Sequence, residues 1–175
     1  MDTWDAITAR RNVRAYEQRP IPSEDLNRVL EAGRRTPSSM NSQTWDFVVV
    51  TDRDQLAALS KVWTYATHVA GSAATIALVA PVVADDGERL VVHYDLGQAT
   101  MSMMLAAADL GIGTGHSAVA DQDLARTLLG LPADRDCAYL LSLGYPADRP
   151  LRPLKRPNRR PFEDVVHFGQ WRGGA

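Results

Sequence analysis

His93–Leu110 limits what this chain can become more than any other segment, because it is long, periodic and rich in Met and Ala. Its spacing predicts a helix whose Leu96, Met101, Met104, Leu105 and Ala108 fill a central core. Three apolar runs, Phe47–Thr51, Thr75–Ala84 and Ala138–Tyr145, read as strands around it. Shorter helices complete the set. Thr3 is placed to cap one carrying Trp4 and Ile7. Ser23 is placed to cap a second, with Glu24 and Asp25 in its positive first turn and Leu26, Val29, Leu30 and Gly33 on one face. Asp52 or Asp54 starts a third, with Leu56, Leu59, Trp63 and Ala66 at helical spacing. Asp121 starts a last one that closes near Leu129. Helices and strands alternate unevenly, which favours an α+β domain with a mixed or antiparallel sheet over a regular parallel one.

A chain of 175 residues fits a single domain spanning 1–175, and neither repeat nor linker interrupts it. From Pro146 onward the sequence changes character. Prolines at 146, 150, 153, 157 and 161 forbid a continuous helix. Yet Phe162, Val165, Val166, Phe168 and Trp171 are apolar residues that a solvated tail would not carry. They call for a surface to cover, which an arm crossing to a partner's sheet edge would offer.

With 19 Lys and Arg against 21 Asp and Glu, and no basic stretch above that background, a general nucleic-acid binder is disfavoured. The longest nearly uncharged stretch, Ala73–Ala84, contains Pro81 and falls short of the roughly 20 residues that span a bilayer. The N-terminus lacks a basic start followed by an apolar core, so the expected location is the cytoplasm, without a membrane partner. Cys137 is the only cysteine, and its apolar flank reads as a buried structural thiol more than a nucleophile. His68, His93 and His167 stand singly, with no carboxylate or cysteine at ligand spacing, so no metal site is expected.

Four features carry candidate chemistry. Gly113–Ala118 matches G-x-G-x-x-G/A, but it follows a long helix and leads into a loop, where helix C-caps and turns explain the glycines better than a dinucleotide does. His116 in that loop reads as an imidazole on a pocket wall, with a general base as the sharper alternative. Arg10, Arg11 and Arg14 near one end of the chain, and Lys155, Arg156, Arg159 and Arg160 near the other, are either solvated faces or two clusters converging on one phosphate. Ser38, Ser39, Asn41 and Gln43 surround Pro37 and Met40 between a helix and a strand. They are either turn residues or a set of donors and acceptors that reads the edge of a flat heterocycle.

Together these blocks resemble the FMN-dependent nitroreductase family along nearly the whole chain. "ITARRNVRAY" is similar to the family's R-R-S-x-R block, and "TPSSMNSQTWDFVVV" to its A-P-S-x-x-N-x-Q-P-W-x-F block. "DLGQATMSMMLAAADLGIGTG" looks like the central interface helix. "LSLGYP" with "RRPFEDVVHFGQW" resembles the closing strand and tail. The resemblance implies a homodimer with two FMN sites built from both chains and a C-terminal arm, 146–175, exchanged between them. By position Arg10 and Arg159 would hold the phosphate, with Arg11 in the same cluster. Asn12, where serine is usual, would lie near the ribityl and phosphate, and Arg14 near the ribityl chain or the pyrimidine pole. Pro37, Ser38, Ser39 and Asn41 would line the ring from the partner chain. Gly115, His116, Ser117 and Ala118 would approach its N5 side through the backbone. Thr44 replaces the usual proline, and the span before the interface helix is too short for a covering insertion, which implies an open pocket. The implied activity takes hydride from NAD(P)H and passes it to nitroaromatics, quinones or similar acceptors by ping-pong kinetics. The alternatives are a flavin-dependent oxidase of the same fold and a non-catalytic flavin-binding dimer.

Overall fold

The computed structural model describes residues 1–154 and 156–173. Four antiparallel strands, β1 (Asp46–Val50), β2 (Ala74–Pro81), β3 (Gly113–Ala118) and β4 (Arg135–Gly144), form one sheet in the order β1-β2-β4-β3. β2 and β4 are interior and buried on both faces, so they read in the sequence as continuous apolar runs instead of alternating ones. The helices are α1 (Thr3–Ala9), α2 (Ser23–Arg34), α3 (Arg53–Leu59), α4 (Asp86–Asp109) and α5 (Gln122–Leu129). The fold class expected from the sequence, α+β with an antiparallel sheet flanked by helices, is the one observed. No described helix is long and apolar enough to cross a membrane.

α4 covers one face of the sheet. Val92, Leu96, Ala99, Met103 and Ala107 recur every three or four residues along it and pack on Ile76, Leu78, Leu141 and Leu143. Each such buried Leu or Met contributes about 1.5–3 kcal/mol. α2 lies against α4 at Gly33, where even a methyl group would meet the Met103 side chain at 2.3 Å. The other face of the sheet is covered by α3 and α5, through Leu56, Leu59 and Ala125 on Ala77, Val79 and Leu140. Cys137 sits in this second core, where burial pushes its thiol up to about 12, as befits a structural cysteine.

Several local expectations need correction. α4 begins seven residues before His93, because Asp85 caps it by accepting from Glu88 N at 2.8 Å. Met101 faces solvent, off the buried stripe. α1 is capped by Asp2, and α2 starts after Pro22 with no side-chain cap, so neither Thr3 nor Ser23 serves in that role. α3 is capped by Asp52 but ends at Leu59, leaving Trp63 and Ala66 in the following turns. The largest correction concerns Gly113–Ala118, which is a sheet strand and not a loop. Its glycines are there because other groups come close, the Val13 and Pro146 side chains at Gly113 and the Val13 carbonyl at Gly115.

That close approach joins the two ends of the chain. Asn12 bridges Thr114 in parallel, Val13 N donates to Thr114 O at 2.8 Å, and Tyr16 bridges Pro146. Tyr16 Oη lies 2.7 Å from both Val13 O and Ser142 Oγ, and Ser142 Oγ donates to Gly115 O at 2.8 Å. Burial raises the Tyr16 phenol to about 12, so it stays protonated in this cluster. A Cβ on Gly115 would stand 2.3 Å from Val13 O. Gly115→Ala is therefore expected to push the 12–16 segment off β3 and cost about 1–3 kcal/mol. An unchanged melting temperature for this variant would show that the segment is held elsewhere.

Candidate functional site

The expected site residues fall into two groups. The first lies along β3. Arg10 closes α1 as its C-terminal cap, and Arg11, Asn12 and Arg14 follow on the segment pinned to Thr114 and Gly115. Arg14 and Asn12 are exposed, whereas Arg11 is half-buried and donates to Asp148 Oδ1 and Arg149 O, both at 2.6 Å. Arg11 thus ties the N-terminal segment to the start of the tail. Ala147 N and Leu154 N also bond back to Ala15 O and Thr8 O. Arg159 is exposed, its side chain bonded among the described residues only to Asn158 O. Lys155 of the same cluster lies outside the described residues.

On β3 itself, His116 is exposed while Ser117 is buried, as alternation along a strand requires. Ser117 Oγ has no hydrogen-bond partner among the described residues. Facing this strand is a residue outside every sequence motif. His68, in the 3-10 segment Thr67–Gly71, is 7% exposed. The backbones of Gly115 and Tyr65 lie close enough to favour its protonated form, but neither reaches hydrogen-bond geometry, and both ring nitrogens are left unpaired. Burial, with the nearby charges of Arg14 and His116, holds its pKa below the ordinary value, so the ring is neutral at pH 7.

The second group is the loop before β1. Its backbone is left-handed at three non-glycine residues, Met40 (φ 50°), Asn41 (φ 56°) and Gln43 (φ 48°). Asparagine tolerates that region, but methionine and glutamine do so at a cost. The strain is held by an anchor from α4. Asp95, 2% exposed, accepts from Ser39 N at 2.8 Å. Inside the loop, Gln43 N donates to Ser38 Oγ and Gln43 Nε2 to Asn41 O. Ser38 and Gln43 therefore perform turn chemistry, while the Met40 and Asn41 side chains are presented to solvent. An open cleft of about 810 Å³ lies between Pro37, Ser38 and Ser39 and the exposed side of α4, with Leu90, Val91 and Tyr94 on its wall. Asp95 was missed in the sequence. A lone carboxylate on the buried face of an apolar helix was the available signal.

Among the described residues, no hydrogen bond or ion pair links the two groups within one chain. No cluster of three His, Cys, Asp or Glu is gathered for a metal among them. The β3 group offers positive charge, backbone groups at close-approach glycines and unpaired buried polar atoms. The loop group offers exposed amide and apolar surface beside an apolar cleft. Such a pair suits an anionic ligand with a flat heterocycle, and a phosphorylated flavin has both parts.

The chain is similar to known oxidoreductases. The model of the nitroreductase family matches residues 7–66 and 61–145. An Archaeoglobus fulgidus protein assigned as an NADH dehydrogenase/NAD(P)H nitroreductase is 32% identical over 174 residues, covering 94% of this chain and 96% of its own. Nitroreductase A of Vibrio parahaemolyticus superposes with a TM-score of 0.86 at 26% identity, over 100% of this chain and 79% of that one. The NADPH:FMN oxidoreductase of Vibrio harveyi, solved with NAD+, gives 0.84 at 25% identity, over 97% and 78%. With the family model matching most of its length and a relative 32% identical over nearly all of it, the chain belongs to the nitroreductase family of oxidoreductases.

Proposed function

We propose that this protein is an FMN-dependent homodimeric oxidoreductase that takes hydride from NAD(P)H and reduces nitroaromatics, quinones or similar acceptors by a ping-pong mechanism. The observation that carries the reading is the pinning of Asn12 and Val13 to β3, which sets the flanking arginines beside a glycine strand bordered by buried polar atoms unpaired among the described residues. When bound, FMN supplies the two-electron chemistry, accepting hydride from one substrate and returning it to the next. The chain's own residues bind and orient. Arg10 and Arg159 hold the phosphate, with Arg11 steadying the segment and Asn12 beside it. Arg14 places positive charge at the pyrimidine pole, where added negative charge is stabilised. Gly115, His116, Ser117 and Ala118 meet the ring through the backbone. Pro37, Ser38, Ser39 and Asn41 close over it from the partner chain. The short span Val82–Asp85 between β2 and α4 leaves no room for a covering lobe, so one open face serves both substrates in turn.

The dimer reading has its own support. α4 exposes Leu90, Val91, Tyr94 and Met101 along one side. β1 is an edge strand, flanked by a groove of about 570 Å³ that includes Leu30, Trp45, Phe47 and Val49. The distal tail, from Arg156 to Gly173, bonds only to itself among the described residues, and it leaves Phe162, Val165, Phe168 and Trp171 uncovered. An arm crossing to the partner's β1 edge would bury those side chains and satisfy that edge together.

Anaerobic addition of NADH or NADPH to the FMN-loaded protein is expected to bleach the visible flavin band. Bound flavin that neither nicotinamide reduces would favour the oxidase or the non-catalytic reading instead. Arg10→Ala or Arg159→Ala is expected to weaken FMN binding by about 1.5–3 kcal/mol and riboflavin binding far less. Equal losses for both ligands would remove these arginines from the phosphate. Truncation after Pro150 is expected to cost both dimer stability and cofactor. Light scattering that still shows a tight, flavin-bound dimer would exclude the crossing arm.

A further inference from the structure

His68 is the strongest unexplained feature of the molecule. A histidine that is 7% exposed normally has its ring nitrogens paired, yet neither has a hydrogen-bond partner among the described residues. Its setting is not an ordinary core. The ring stands against the backbone of Gly115, within the influence of Arg14 and His116, and the buried, unpaired Ser117 Oγ lies on the same strand. Unpaired buried polar atoms thus collect on both sides of the segment that the flavin reading assigns to the cofactor. His68 itself lies outside every motif that led to that reading.

We propose that His68 is a cofactor-contacting residue, whose imidazole completes the cradle beside Arg14 by hydrogen-bonding the polar edge of the bound flavin. The inference rests on the flavin reading above and adds to it a residue from the turn after α3. Charge and tautomerism both fit the role. Burial keeps the ring neutral, and a neutral imidazole offers one N–H donor and one bare nitrogen acceptor. A heterocycle edge that alternates carbonyl oxygens with an N–H can use either. A cation at His68 would instead crowd Arg14 and His116. The rigid turn, closed by Val69 N donating to Ala66 O at 2.9 Å and Ser72 N to Val69 O at 3.1 Å, holds the ring in place before any ligand arrives. The unpaired nitrogens are a cost in the free protein that ligand binding removes.

That cost makes the inference testable, because stability and binding should move in opposite directions. His68→Phe and His68→Leu remove both nitrogens; His68→Gln keeps a donor and an acceptor. Each full-length variant is melted without FMN and then titrated with FMN by fluorescence quenching. The apolar variants are expected to melt no lower than wild type but to bind FMN about tenfold more weakly, the worth of one hydrogen bond. His68→Gln is expected to stay within about threefold of wild type. Unchanged FMN affinity in whichever apolar variant folds would make His68 a plain core residue and overturn the proposal. An equal loss in the Gln variant would also overturn it, since shape and not hydrogen bonding would then matter. If wild type itself fails to bind FMN, the flavin reading falls and this inference with it, whereas tight wild-type binding beside unaffected variants sinks only His68.

Discussion

Val13 O occupies the space where any residue but glycine at position 115 would carry a side chain, and the candidate site hangs on that contact. The contact sets the N-terminal segment directly on β3, with the Val13–Thr114 hydrogen bond and the Tyr16–Ser142 hydroxyl cluster locking its register. Because Tyr16 also bridges Pro146, the start of the tail is fixed by the same few atoms. Arg10, Arg11, Asn12 and Arg14 are therefore displayed from one rigid ledge, although the residues that build it come from positions as far apart as 12 and 146. A site built on sheet-backed segments holds its geometry better than one on free loops.

The loop group follows a different logic. Left-handed backbone at Met40 and Gln43 costs about 1–2 kcal/mol each. The bond from Ser39 N to the buried Asp95 carboxylate is worth about 1.5–3 kcal/mol. Strain and anchor are of similar size, so the loop's shape depends on α4 holding it. α4 thereby has two tasks on its buried face: its stripe from Val92 to Ala107 organises the core, and Asp95, beside Val92 and Ala99, sets the loop. Strain kept in place by a specific anchor is characteristic of segments that must meet a ligand in one conformation.

These two groups also explain what could be read from the sequence. β2, β4 and the second half of α4 were legible because deep burial leaves an unbroken apolar run or a helical stripe. The N-terminal half of α4 was not, since "DGERL" is exposed and only the Asp85 cap reveals it. β3 was the hardest element. Glycines normally signal turns, and nothing local says that Val13, Tyr16 and Pro146 crowd a strand from 100 residues upstream and 30 downstream. The family blocks made Arg10–Arg14 and Pro37–Asn41 legible as sets. His68 and Asp95 stayed hidden because each is a single polar residue whose meaning lies in an environment assembled by other elements.

The surfaces left open bear on how cofactor and assembly are related. One chain leaves uncovered an apolar side of α4, an edge strand with a groove, and an apolar tail. It also divides its site groups so that none of their hydrogen bonds joins them among the described residues. If FMN is held as proposed, ledge and loop come together only across two chains, and the ligand then binds the dimer and not the separated subunits. Ligand at a hundred times its Kd would stabilise that dimer by about 2.7 kcal/mol per site. Linkage is reciprocal, so the factor by which FMN tightens the dimer is the factor by which dimerisation tightens FMN. Residues far from the flavin, on the outer side of α4 or in the tail, would therefore set its affinity without touching it.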